Sequence, residues 1–257
     1  MPKVIIIAGN PLTGKTLSSL TFPKNLLHID FDGNGLPNYK KILKPDGTLV
    51  LPSLEGITSI PMIKKEVPEL VLKTGYLTKG KGVTPSYAFG AVELISQYNT
   101  IINSLAHDGT YNGLKFSTLV IDSLTEFFRL WRENLLVTNS QPSLAISDYG
   151  TMESLLFGQF FPRLKALPLD YVILTDHITA EKDELTGMIT EMPVGTSKAQ
   201  GKMLGKAVTE LWRQVFTDGR AMWRTRPYGL FEAGSRSHVS DPCEANFEAV
   251  KSFLVQD

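Results

Sequence analysis

Residues 3–16 read KVIIIAGNPLTGKT, and the order of residue types within them sets the expectations for the rest of the chain. Val4 to Ala8 is a short unbroken apolar run, as in a strand buried on both faces. Gly9-Asn10-Pro11-Leu12-Thr13-Gly14-Lys15-Thr16 follows at the spacing of a phosphate-binding loop. The chemistry behind that spacing is close approach of backbone to an anion. Glycines remove the Cβ that would stand in the way, and successive N–H groups point inward as a nest for phosphate oxygens. A helix starting at Thr16 turns its positive end toward the same anion. Lys15 then reaches the β- and γ-phosphates, and the Thr16 hydroxyl holds Mg²⁺. With Leu17 at the foot of the helix, residues 9–17 are the candidate nucleotide-binding set, and the cofactors implied are ATP and Mg²⁺.

At 257 residues the chain fits one large α/β domain, or a domain carrying an insertion. Formal net charge is zero, so no global field recruits nucleic acid or membrane, and either partner needs a local patch. The single Cys243 leaves no internal disulfide and points to a reducing compartment. The apolar run at Val4–Ala8 is too short for a signal peptide, and no run approaches a membrane span. The expectation is a cytoplasmic protein, or one acting in the cytoplasm of a host.

Beyond the loop, Leu17–Leu20 read as a short helix ended by Pro23. Leu26–Asp32 read as a second strand, with Gly33-Asn34-Gly35 turning the chain at its carboxyl end, where ligands sit in open α/β sheets. Alternation puts His28, Asp30 and Asp32 on one face. Asp32 is the candidate base that orients and deprotonates the attacking water, against the plainer role of capping a turn before glycine. His28 reads as a packed strand residue. Residues 36–86 show short candidates at Thr48–Leu51 and Ile57–Ile60, a helical stretch from Met62 to Lys73 broken by Pro68, and a loop at Gly75–Pro85 with Lys79 and Lys81. They read as an insertion without assigned chemistry.

Tyr87–Ala106 has helical spacing and stops at Asp108-Gly109. Phe116–Asp122 is an apolar strand ending in an acid, the Walker B form, in which Asp122 helps hold the Mg²⁺. Ser123 and Glu126 have the spacing of a capping box for the helix that follows, whose Leu124, Phe127, Phe128, Trp131 and Leu135 form one apolar face. A further helix starts near Asp148-Tyr149-Gly150 and kinks at Pro162. Asp170–His177 reads as another buried strand, with Thr175 and His177 at its tip as candidate γ-phosphate contacts. Residues 180–206 are polar and Gly-rich with no sustained period, and read as a long loop.

From Lys198 to Arg236 there are eight Lys or Arg against three acids, with Trp212 and Trp223 among them. Basic groups interleaved with aromatics suit a single-stranded nucleic acid groove; a solvated face over core tryptophans gives the same composition. Leu211–Thr217 and Ala221–Arg226 read as a hairpin about Asp218-Gly219, Gly229–Ser240 as a further strand region, and Glu244–Leu254 as a closing helix.

The ordered set IDFDGNG, LVIDS, DYG, ILTDH and RTRPYGLFEAGSR, behind a phosphate loop, resembles the RecA-like phage nucleotide-binding proteins. These include the Sak-type single-strand annealing ATPases, related to the RecA and Rad recombinase cores. The resemblance covers most of the chain apart from 36–86. It implies a single RecA-like α/β ATPase domain over 1–257, a mainly parallel sheet flanked by helices with C-terminal hairpins, and an insertion at 36–86. It implies that Asp32 stands where the family usually has a catalytic Glu, and that Asp122 is the Walker B acid. His177 matches the histidine leading into the loop that meets DNA, here 180–206, where Lys198, Lys202 and Lys206 are the candidate contacts. Arg236 matches the basic residue that reaches the nucleotide of a neighbouring subunit. Two departures stand out: Asp in place of Glu at 32, which implies slow hydrolysis, and no Lys in Ala233-Gly234-Ser235 before Arg236.

The function implied is an ATP-dependent, single-stranded-DNA-binding recombination or annealing protein. Its implied partners are single-stranded DNA, further copies of itself and a single-strand-binding protein, with no membrane. The alternative is a P-loop ATPase acting on a protein partner, such as a helicase loader or assembly factor. A small-molecule kinase would need an Arg-rich lid, for which the sequence has no clear candidate.

Overall fold

The computed structural model describes residues 1–33, 55–62, 85–139, 143–182, 187, 189–195 and 198–255. The apolar run at the start becomes β1 (Lys3–Gly9). After the loop come α1 (Lys15–Ser19) and β2 (Leu26–Asp30). An edge strand β3 (Ile57–Pro61), the long α2 (Pro85–Asp108) and a small hairpin of β4 (Thr110–Tyr111) and β5 (Leu114–Lys115) follow. The acid-tipped strand is β6 (Thr118–Asp122), and α3 (Leu124–Thr138) leaves its end. Next are α4 (Ile146–Leu155), a π turn at Leu156–Phe160 and α5 (Phe161–Lys165). The chain continues through β7 (Tyr171–Lys182), β8 (Ile189–Pro193), α6 (Lys198–Ala207), β9 (Glu210–Thr217) and β10 (Arg220–Arg224). It closes with β11 (Gly234–Ser235), β12 (Cys243–Glu244), a 3₁₀ turn at Phe247–Ala249 and α7 (Lys251–Leu254).

The main sheet runs β12-β10-β9-β1-β7-β6-β2-β3, with β11 added to β9 and β8 to β7. Strands β9, β1, β7, β6, β2 and β3 are parallel; β10, β12, β11 and β8 join antiparallel. The expected class, a mainly parallel sheet flanked by helices with antiparallel strands near the C-terminus, is what the chain forms.

Alternation along β1 explains why both faces are covered. Val4, Ile6 and Ala8 face a layer containing residues of α2, α3, α5 and α6; Ile5 and Ile7 face Leu20, Phe22, Phe247 and Val250 on the other side. The side chains of Val4 to Ala8 are fully buried, and each isoleucine or valine contributes about 1.5–3 kcal/mol by leaving water. Among the described residues the first layer is bound by an aromatic group: Phe127 lies 5.3 Å from Phe31, 4.9 Å from Tyr98 and 5.0 Å from Phe160.

Several expectations are corrected. The segment 180–206 is not one loop: β7 runs to Lys182, β8 returns antiparallel to it, and α6 occupies 198–207. The helix hid behind two glycines of low helix propensity. They are needed there, because a Cβ on Gly201 would stand 2.6 Å from the Pro193 carbonyl oxygen and one on Gly205 3.0 Å from Leu211. Strand β2 stops at Asp30, two residues short of the reading. The closing helix is shorter than expected: Glu244 pairs with Met222 as part of β12, and the Asn246 side chain accepts from Ala249 N to start the 3₁₀ turn.

Other expectations hold. The kink falls where Pro162 lacks a backbone donor, as the π turn preceding it. The β9–β10 hairpin turns at Asp218 (φ 52°) and Gly219 (φ 74°), the left-handed pair that a two-residue hairpin requires. Trp212 and Trp223 are fully buried, which supports the core reading of these rings. Within 36–86, Ile57–Pro61 extends the sheet beside β2. The turn at Asn34-Gly35, the Thr48–Leu51 strand, the 63–73 helical stretch, and Lys79 and Lys81 lie outside the described residues.

Candidate functional site

Strand order brings the site together. Strand β7 lies between β1 and β6, so the residues near its middle separate the phosphate loop from Asp122. Gly9 is level with His177, and Asp30 with Asp122. Residues 9–17 wrap over the carboxyl end of β1, with Leu12 (φ 62°) and Gly14 (φ 84°) both left-handed. Gly9 must lack a side chain, because a Cβ would meet the Gln214 carbonyl oxygen at 2.7 Å. Lys15 is buried, and its Nζ donates to the carbonyls of Gly9 (3.0 Å) and Asn10 (2.9 Å). Burial lowers its pKa, and the carboxylates of Asp122, Asp176 and Asp32 pull it back up.

Asp122 is buried at the tip of β6, among donors. His28 Nε2 lies 3.5 Å from Oδ2, Thr175 Oγ1 donates to Oδ1, and the Thr16 hydroxyl is near enough to the same carboxylate to favour its charged form. Burial opposes its ionisation, but the hydrogen bonds and charge of His28, with those from Thr16 and Thr175, outweigh it and hold the pKa below the usual range. His28 is fully buried and meets Ser59 Oγ at 3.0 Å through Nδ1, so it is a packed strand residue that also touches the acid.

Asp32 lies just beyond β2, its neighbour Phe31 seated among the core rings. Its Oδ1 accepts from Ser123 Oγ at 2.8 Å, while Ser123 Oγ accepts from Glu126 N at 3.4 Å to cap α3. Ser123 therefore caps α3 and also holds the Asp32 carboxylate. Burial pushes Asp32 up to about 6, with Asp122 adding to the rise and Ser123 opposing it. Asp30 accepts from Gly33 N at 2.9 Å, so the glycine turn is served by Asp30.

His177 is not at a strand tip, since β7 continues five residues past it. It stands where β7 leaves β1 and begins pairing with β8, its N–H donating to Asp176 Oδ1 (2.9 Å) and Thr125 Oγ1 (3.2 Å). Burial and the Lys15 charge hold its pKa below the ordinary value and favour the neutral ring. Its carbonyl accepts from Val194 N at 2.9 Å. Asp176 is a site acid that the sequence reading left unassigned; Thr125 Oγ1 donates to it at 2.6 Å, and burial pushes it up to about 8. Its place beside Lys15 follows from β7 neighbouring β1, which spacing along the chain does not reveal.

Arg236 is not brought to this site. It follows β11, which pairs with Glu210 and Leu211 at the level of Ile5 and Ile6, the opposite end of β9 from the loop. There its guanidinium donates to the Lys206 carbonyl at 3.3 Å. Residues 198, 202 and 206 fall at four-residue spacing on α6, one side of a helix. Lys206 is exposed.

Among the described residues no three acids, histidines or cysteines cluster closely enough to hold a metal unaided. The adjacent Thr16 hydroxyl and Asp122 carboxylate nevertheless fit Mg²⁺, which takes one or two protein oxygens and completes its shell with water and phosphate. Phosphate loop, acid-tipped strand, second carboxylate and strand order are those of a P-loop NTPase-type α/β domain. A family model described as an AAA domain matches residues 1–237, and the chain belongs to that family, with an ATPase-type core. No curated protein matches it. Among solved structures it is similar to the flagellar accessory protein FlaH from Methanocaldococcus jannaschii, at 12% identity and TM-score 0.37, over 86% of this chain and 76% of that one. It is also similar to a prototypical ATPase from the type III secretion system of pathogenic bacteria, at 13% identity and TM-score 0.41, over 84% of this chain and 52% of that one. The chain thus spans about half the length of the secretion ATPase. No helix among the described residues is long and apolar enough to cross a membrane.

Proposed function

We propose that the chain is an ATP-dependent, single-stranded-DNA-binding protein of phage type, acting in recombination or strand annealing as an oligomer with ATP at the subunit interface. The observation that carries the reading is the Val194 N–H bond to the His177 carbonyl. It joins the strand beside the phosphate loop to the segment leading into α6, whose residues 198, 202 and 206 are lysines on one side of a helix. In this reading that bond is the route by which a change at the γ-phosphate would reach a basic element.

In this reading Lys15 and the loop N–H groups hold the phosphates, and Asp32 takes the proton of the attacking water. Thr16 and Asp122 would hold Mg²⁺, which supplies charge neutralisation across the phosphates. The shorter Asp in place of Glu makes hydrolysis slow. Arg236, exposed and far from its own loop, serves the nucleotide of the neighbouring copy. A single-strand-binding protein is the expected companion on DNA, and the host cytoplasm the site of action.

The test is fluorescence anisotropy of a labelled single-stranded oligonucleotide without nucleotide, with ADP and with a non-hydrolysable ATP analogue, at several salt concentrations. Binding should need the analogue and weaken with salt. Replacing Lys198, Lys202 and Lys206 together by Ala should flatten the log–log salt slope by about two, at roughly 0.7 per lost phosphate contact. Binding of the analogue with no DNA binding in any state would sink the annealing reading and leave a protein partner.

A further inference from the structure

Gln214 sits on β9 with its side chain essentially buried at 1% exposure, on the strand level with Gly9. A buried amide is costly unless its hydrogen bonds are made. Here Nε2 donates to the Thr13 carbonyl at 2.7 Å, while Oε1 accepts from Ser18 Oγ at 2.5 Å and Trp223 Nε1 at 3.0 Å. An indole N–H can only donate, so Oε1 must be the atom facing Trp223, and the amino group must face the loop. One side chain therefore joins the phosphate loop, helix α1 and the β10 strand.

The backbone makes the same connection. The Gln214 carbonyl oxygen fills the space a Cβ on Gly9 would need, and Nε2 lies 3.4 Å from where a Cβ on Gly14 would be. Gly9 and Gly14 bracket the loop, so β9 braces it at both ends. The Thr13 carbonyl belongs to the peptide that enters Gly14, whose left-handed φ of 84° turns the following N–H groups inward.

We infer that Gln214 is a positioning residue for the nucleotide's phosphates: it holds the loop through the Thr13 carbonyl and ties nucleotide affinity to the β9–β10 hairpin. The inference rests on the phosphate-loop reading and is independent of any DNA role. It requires a loss of nucleotide affinity that exceeds any loss of folding.

Gln214→Met keeps the volume and removes all three bonds; Gln214→Glu keeps the acceptor for Ser18 and Trp223 and replaces the donor to Thr13. Titrating a fluorescent ATP analogue and ADP into each should give a Kd raised roughly tenfold or more, the scale of one buried hydrogen bond. The KM for ATP should rise in parallel while kcat changes less. Ser18→Ala, which leaves the Thr13 bond in place, should lower the melting temperature but keep Kd close to wild type. Lys15→Ala separates the two levels of reading: if it too binds like wild type, the phosphate-loop assignment fails. If it loses binding while folded Gln214→Met and Gln214→Glu retain wild-type Kd, only the role of Gln214 is overturned. Should neither Gln214 variant fold, the wild-type side-chain amide resonances of Gln214 should shift and gain exchange protection on adding ADP. Unchanged resonances would overturn the inference.

Discussion

Asp32, half-buried, and Asp176, fully buried, show how two carboxylates in one site take different parts. Asp32 has a hydroxyl donor in Ser123 and reaches the edge of the site; Asp176 lies deeper, with Oδ2 lacking a hydrogen-bond partner among the described residues. On the proposed role of Asp32 as base, Asp32→Asn should cut ATP hydrolysis by about 10²–10⁴, the range of general acid–base catalysis, with nucleotide Kd nearly unchanged in a fluorescence titration. The consequence of Asp176 is one of stability. Its pKa is raised by burial from the ordinary carboxylate range to about 8 in the folded chain, so between those values the unfolded chain binds fewer protons. Stability from this group is complete below about 4 and is lost as pH rises through about 8. Asp176→Asn should therefore gain on wild type as pH rises from 5 to 8 in nucleotide-free denaturant melts; a constant difference would refute it. At this scale the sequence was readable where chemistry and chain neighbours coincide. Lys15, Thr16 and Asp122 belong to contiguous motifs. Gln214 and Asp176 act through strand register, which no local spacing records.

At the level of elements, glycine separates two situations that look alike in sequence. Gly201 in α6 lies against Pro193 of β8, whereas Gly150 in α4 has nothing within 4 Å of an added Cβ. Gly201→Ala should destabilise by about 1–3 kcal/mol, as overpacking against backbone does. Gly150→Ala should stabilise by about 0.5–1 kcal/mol through helix propensity alone. Urea denaturation of the two variants checks both signs. The reading of 180–206 as a loop failed for this same reason: glycine lowered the apparent helix propensity where close packing required it. The polar strands of the β7–β8 ribbon offered no long apolar run to mark them. By contrast, β1, β6 and the first part of β7 were legible because burial on both faces makes them continuously apolar.

Across the whole molecule, two core layers meet on a single sheet, and the site lies along the carboxyl edge of that sheet. Parallel strands flanked by helices could be anticipated from apolar runs alternating with helical periods. That β7 lies beside β6 follows from the topology the phosphate loop and acid-tipped strand imply, and not from local pattern, since crossovers set the strand order. A nucleotide that bridges loop, β6 and β7 stabilises the folded chain by mass action, about 2.7 kcal/mol at a concentration of 100 Kd. ATP with Mg²⁺ should raise the melting temperature of wild type and leave that of Lys15→Ala unmoved, as read by scanning calorimetry.

Trp212 and Trp223 have ring centroids 4.8 Å apart, and the indole N–H of Trp223 ends on the amide that carries the phosphate loop. The third tryptophan, Trp131, lies in the opposite layer against Phe127 and Phe160. The chain thus carries its own candidate optical gauge: in a Trp131→Phe background, emission from the paired indoles should change when nucleotide fills the loop, without any dye attached.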